Sequence, residues 1–92
     1  MTETVSDNPA RSRFELGPDG GSGFIDYRRS GRTLFLNHAE VPDALAGHGL
    51  GTRLVRESLD LIRSRGERMV PVCPFIKAFV RRYPEYADLS DA

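Results

Sequence analysis

Along the chain, apolar and polar positions alternate with period two in the first half and recur every three or four residues in the second. Phe14 and Leu16 fall on one side of a segment from Arg11 to Leu16, which reads as a first strand. Gly17-Pro18-Asp19-Gly20-Gly21 is a turn by composition. Gly23 to Arg29 follows as a strand, with Phe24, Asp26 and Arg28 on one face and Ile25, Tyr27 and Arg29 on the other. Ser30-Gly31 suits a two-residue hairpin turn. Arg32 to Val41 is a third strand, and its apolar centre, Leu34-Phe35-Leu36, suits a strand covered on both sides. From Thr52 to Arg65 the period becomes helical. Leu54, Val55, Leu59 and Ile62 form an apolar stripe, with Leu61 at its edge. On its polar side, Arg53 with Glu57 and Arg56 with Asp60 are opposite charges four residues apart. Gly66 is placed to end this helix. A further strand spans Glu67 to Cys73, and Pro74 opens a second helix whose expected buried stripe is Phe75, Ile76, Phe79, Val80 and Tyr83. Pro84 stops it, and the remainder is short and acidic. Residues 1–10 are polar and read as a loose arm, leaving residues 11–92 as one domain.

The junction between the two regimes carries the ligand chemistry. Val41 to Leu54 reads VPDALAGHGLGTRL, a loop with alternating Gly47, Gly49 and Gly51 running into the first helix. Such a turn exposes backbone N–H groups at the positive end of a helix dipole, where a phosphate is favoured. No acid appears in the helix before Glu57, whereas Arg53 and Arg56 do, which fits an anion there. A P-loop needs a lysine after its last glycine, and here Thr52 and Arg53 follow Gly51. A dinucleotide fingerprint needs a third glycine where Thr52 stands.

Pro71 adds a second feature. It cannot donate to a strand ladder, so a strand carrying it parts from its neighbour near that point. If the neighbour is the third strand, a gap opens beside His38, Glu40, Val41 and Cys73. A phosphate cradle next to a slot between parting strands suits a long ligand with a phosphate at one end and a narrow arm.

The charge balance narrows the partners. The 92 residues carry 13 basic and 13 acidic side chains, a net charge of zero. This argues against a general nucleic-acid or anionic-membrane binder. No apolar run reaches membrane-spanning length and no apolar signal core opens the chain, so a soluble, cytoplasmic protein is expected. One cysteine allows no internal disulfide, and two separated histidines with one cysteine make no metal-ligand cluster.

Three stretches resemble the GNAT superfamily of acetyl-coenzyme A dependent N-acyltransferases, in its short single-domain branch. They are Asn37-His38-Ala39-Glu40-Val41-Pro42, Val70-Pro71-Val72-Cys73-Pro74-Phe75 and Tyr83-Pro84-Glu85-Tyr86. Gly49 and Gly51 match the family's cofactor loop; Ala46 stands where the family has Gln or Arg. The resemblance implies an α+β fold, a mixed, mostly antiparallel sheet with splayed strands and helices on both faces. It also implies acetyl-CoA as acyl donor and an amine as acceptor. The pyrophosphate would rest on Gly47, His48, Gly49, Leu50, Gly51 and Thr52, with Arg53 close by. The pantetheine arm would meet the backbone near Glu40 and Val41, and the thioester would lie near His38, Glu40 and Cys73. The tyrosine that many members use as a general acid in the last helix has no counterpart in Phe79-Val80-Arg81; Tyr83 is the nearest substitute.

Three residues are candidates for catalysis. His38, an imidazole and so a suitable general base, shares a strand face with Glu40, so either is a candidate base. Cys73 precedes a helix N-terminus, which favours the thiolate and permits transient acylation. The expected activity is N-acetyl transfer by a monomer or weak dimer. The alternatives are a non-catalytic acyl-CoA-binding module and a small interaction domain whose loop holds no ligand.

Overall fold

The computed structural model describes residues 4–42 and 49–91. Five strands form one sheet in chain order: β1 (Val5–Asn8), β2 (Arg13–Leu16), β3 (Gly23–Ser30), β4 (Thr33–Glu40) and β5 (Arg68–Pro71). The first four pair antiparallel, and β5 joins β4 in parallel after the crossover through α1 (Leu50–Ser64). Helix α2 (Pro74–Arg82) leaves β5 at once, and a 3₁₀ segment, Pro84–Leu89, follows it. The expected mixed, mostly antiparallel sheet with helices is therefore the observed fold.

Alternation along the strands explains the core. Val5, Phe14, Leu16, Ile25, Tyr27, Leu34, Leu36 and Met69 are buried on one face. Leu54, Val55, Leu59 and Ile62 of α1 and Ile76 and Phe79 of α2 join them in a single apolar cluster. Both helices thus pack on the same face among the described residues, which departs from the expectation of helices on both. The opposite face carries Phe24, Asp26, Arg28 and Phe35. Phe35 is half-buried beneath the Arg28 guanidinium, 4.5 Å from its ring centroid, rather than beneath a helix.

Residues 1–10, read as an arm, include strand β1, which pairs with β2 from Val5↔Leu16 to Asn8↔Arg13. Its anchors are distant in sequence. Val5 N–H donates to Glu57 (3.0 Å), while Asp7 accepts from Tyr27 (2.7 Å) and Arg65 (2.7 Å). The β3–β4 hairpin turns at Gly31-Arg32, one residue later than expected, with Gly31 at φ 62°. Gly66 ends α1 as expected. At φ 66° it lets Glu67 N–H reach Ile62 O (3.0 Å) and its own N–H reach Arg63 O (3.1 Å). The acidic tail is also tied down. Tyr86 and Leu89 are buried, and Asp91 accepts from Thr33 (2.7 Å) and Arg68 (2.9 Å).

Candidate active site at the parted strands

Strands β4 and β5 part where Pro71 predicts. Their pairing ends at Leu36↔Pro71, and β4 runs on to Glu40 beside β3 alone. The N–H groups of Val72 (3.1 Å) and Cys73 (3.0 Å) both converge on Leu36 O as the chain swings into α2. The β4 backbone beyond Leu36 therefore has no β5 partner, and its polar groups border the gap.

A bulge re-aims the side chains there. Tyr27 faces Leu36 and Asp26 faces His38, so Asn37 is the extra residue. Period two from Leu34 and Leu36 would place His38 and Glu40 on the core face. The bulge moves them to the open face, opposite Asp26 and Phe24, and leaves Ala39 and Val41 packed against the core. His38 Nε2 and Glu40 Oε1 lie 3.4 Å apart, each side chain more than half exposed. Phe24 completes the group with its ring centroid 6.2 Å from that of His38. The pairing of His38 with Glu40 follows the sequence reading. Their company with Phe24 and Asp26 does not, because only the bulge creates it.

Gly23 holds this end of the sheet close to α1. At φ 149°, a side chain on it would come within 3.1 Å of Glu40 O and 3.2 Å of Leu54 and Val41. Only glycine fits both the conformation and the space.

The first turn of α1 lies beyond the end of β4. Gly49 sits at φ 74° with open space around its Cα, and its carbonyl accepts the first helical bond, from Arg53 N–H (3.1 Å). The N–H groups of Leu50, Gly51 and Thr52 precede that bond, at the positive end of the dipole, and no acid stands in this turn. Gly51 lets Phe75 of α2 approach: an added Cβ would lie 3.0 Å from the ring. Arg53 turns instead to Glu57 (2.5 Å). Burial pushes the Glu57 carboxyl up, but Arg53 and the Val5 N–H outweigh it and hold it below its usual value. Gly47 and His48 lie outside the described residues.

Cys73 sits at the N-cap of α2, 6% exposed, within the core cluster, and so apart from the exposed His38 and Glu40. Tyr83 caps the other end of α2, about 15 Å along the axis at 1.5 Å per residue. Its ring lies 4.6 Å from Phe79 and beneath Arg56 (4.8 Å). Arg56 thus serves the rings of α2 rather than the expected pair with Asp60, which accepts instead from Tyr86 (2.9 Å). Phe75, expected in the core, is 48% exposed. It lines a cavity of about 320 Å³ with Thr52, Ala78, Phe79, Arg82 and Tyr83, between the first turn of α1 and the flank of α2. Among the described residues no group of three His, Cys, Asp or Glu side chains is placed to hold a metal.

Comparison with known proteins then decides the family. The sequence model of the GCN5-related N-acetyl-transferase family matches residues 13–89. The chain belongs to that family. Protein NATD1 of Bos taurus is 36% identical over 53 residues, 58% of this chain and 47% of that protein. Protein NATD1 of Xenopus tropicalis is 30% identical over 53 residues, 58% and 49% respectively. The chain thus spans about half the length of these curated relatives. A Staphylococcus aureus protein, described from its solution structure as GCN5-like, superposes with a TM-score of 0.71. That match covers 94% of this chain and 85% of the other at 21% identity, a likeness of fold alone. Membership supports acyl transfer as the general chemistry. No helix among the described residues is long and apolar enough to cross a membrane.

Proposed function

We propose that this protein is an N-acetyltransferase that takes the acyl group of acetyl-CoA and passes it to an amine. The observation that carries the reading is the junction of two features: the acid-free first turn of α1 and the unpaired edge of β4 where β5 departs. The N–H groups of Leu50, Gly51 and Thr52, with Gly49 and the preceding Gly47 and His48, suit the pyrophosphate. Arg53 adds a positive charge already shared with Glu57. The cavity between α1 and α2, with the Phe75 and Tyr83 rings and the Arg82 guanidinium in its lining, suits the nucleotide end of the same molecule. The other end enters the gap between the strands.

In the reaction a neutral amine attacks the thioester carbonyl carbon. The C–N bond forms, the C–S bond breaks, and the sulfur leaves as thiolate and takes a proton. The proton lost by the ammonium passes to His38 or Glu40, directly or through water. A backbone N–H near Val41 polarises the carbonyl. We favour direct transfer, with Cys73 lining the gap, since a thiol 6% exposed has little room to attack. Acylation of Cys73 is the other route. Intact mass after incubation with acetyl-CoA distinguishes them: direct transfer leaves the protein mass unchanged and the Cys73→Ala rate near wild type. An added acetyl group, lost in that variant together with turnover, would establish the covalent route.

A non-catalytic acyl-CoA-binding module is the second reading, favoured by the position of Tyr83 at the far end of α2 from the gap. Thiol release from acetyl-CoA in the presence of primary amines tests the choice. Amine-dependent release supports the enzyme; tight binding with no release across an amine panel supports the module.

A further inference from the structure

One acid stands between the first turn of α1 and strand β1. Glu57 is the first acidic residue of α1, and both of its carboxylate oxygens are engaged. Oε2 accepts from Arg53 Nε (2.5 Å), and Oε1 accepts from the Val5 N–H of β1 (3.0 Å). Arg53 has no other side-chain partner among the described residues. Its place in the helix gives this contact a consequence. Arg53 directly follows Leu50, Gly51 and Thr52, whose N–H groups precede the first helical bond. The Cα–Cβ bond of a helical residue tilts towards the N-terminus, so an unheld Arg53 side chain leans over that first turn. Glu57 stands one turn further along and draws the guanidinium the other way.

We propose that the Arg53–Glu57 pair is an autoinhibitory contact of the donor site: Glu57 withholds Arg53 from the donor phosphates, and the Val5 N–H lets Glu57 give it up. The inference rests on the acyltransferase reading above and adds how its donor site is regulated. The chemistry favours an exchange of partners. A pyrophosphate carries more negative charge than a carboxylate and offers a guanidinium paired oxygens. The ion pair is only partly buried, its side chains 26% and 29% exposed, so its hold is weak enough for a phosphate to break. Glu57 is not orphaned by the exchange, because the Val5 N–H stays on Oε1. Strand β1 and the donor therefore support one another. A docked β1 lowers the cost of freeing Arg53, and a bound donor leaves the whole Glu57 charge to Val5. Glu57 is a positioning residue in this scheme, acting on the donor through Arg53.

The test is a double-mutant cycle read by calorimetry with acetyl-CoA. Glu57→Gln should bind acetyl-CoA about threefold more tightly than the wild-type protein, a change of the size that a partly exposed pair allows. Made on an Arg53→Met background, the same substitution should bring no gain. Glu57→Asp, which keeps the charge but shortens the reach to Arg53, is the second variant and should shift binding in the same direction. Two signals report the exchange itself. The Arg53 Nε–H resonance should move when acetyl-CoA is added to the wild-type protein, and amide exchange at Val5 should slow with donor bound, but not in Arg53→Met. A gain that persists on the Arg53→Met background would assign the effect to the Glu57 charge alone and overturn the proposal. Unchanged or weaker binding by both Glu57 variants, or an Arg53 resonance that stays in place at saturating donor, would overturn it as well. The two levels separate cleanly. Donor binding by the wild-type protein without these effects defeats the regulatory proposal alone, and failure of donor binding defeats the acyltransferase reading beneath it.

Discussion

At the residue scale, two positions set testable limits on the fold around the site. Gly23 combines a glycine-only φ of 149° with contacts of 3.1–3.2 Å on a hypothetical side chain. Gly23→Ala should cost about 1–3 kcal/mol, read as a lower denaturant midpoint with an unchanged slope. Tyr27 is 7% exposed, and burial, with its hydrogen bond to Asp7 next, pushes its phenol up to about 12. A group whose folded pKa is raised stabilises the fold fully below its unfolded value, near 10, and loses that contribution as pH rises toward 12. Stability should therefore fall by about 2–3 kcal/mol over that interval. The fall should be smaller in Tyr27→Phe, with the remainder from Tyr86, whose phenol is also raised by burial, and the substitution itself costs about 1 kcal/mol for the lost hydrogen bond. Alkaline unfolding monitored by circular dichroism checks both statements.

At the element scale, strand β1 depends on the helix it touches. Glu57 accepts the Val5 N–H and pairs with Arg53, and its carboxyl is held below the usual range. A lowered carboxyl contributes stability above its unfolded pKa, and that contribution is lost as pH falls through the folded value. Amide exchange at Val5–Asn8 should accelerate first on acidification, and Glu57→Gln should show the faster exchange already at neutral pH. If those amides stay as protected as those of β3 in the variant, the anchor is not Glu57. The same dependence explains why β1 was not legible in the sequence. Val-Ser-Asp-Asn has one apolar residue, and its partners Glu57, Tyr27 and Arg65 are 20 to 58 positions away. The elements with strong periodicity, from Gly23 to Glu40 and along both helices, were legible because their own side chains fill the core. Pro71 likewise announced the parting of the strands by its missing donor. The bulge at Asn37 had no letter to announce it, since period two continues through Leu36, His38 and Glu40. Phe75 was misplaced because helical spacing alone cannot show that Gly51 leaves its ring a seat at the surface.

At the scale of the whole molecule, the described residues of this 92-residue chain put both helices and the core on one side of the sheet. Among the described residues no helix covers the other side, which carries the polar patch around the bulge, while the proposed donor cradle lies at the start of α1, beyond the end of β4. The donor half of this arrangement is the central claim, and calorimetric titration with acetyl-CoA tests it most directly. Gly49→Glu is the control, because it places a negative charge at the cradle and a side chain at φ 74°, at a folding cost of about 1 kcal/mol. The account predicts one-site binding by the wild-type protein, weakened at least tenfold by added salt or by the variant, with both proteins folded. Absence of binding to the folded wild-type protein, or equal binding by Gly49→Glu, would contradict it.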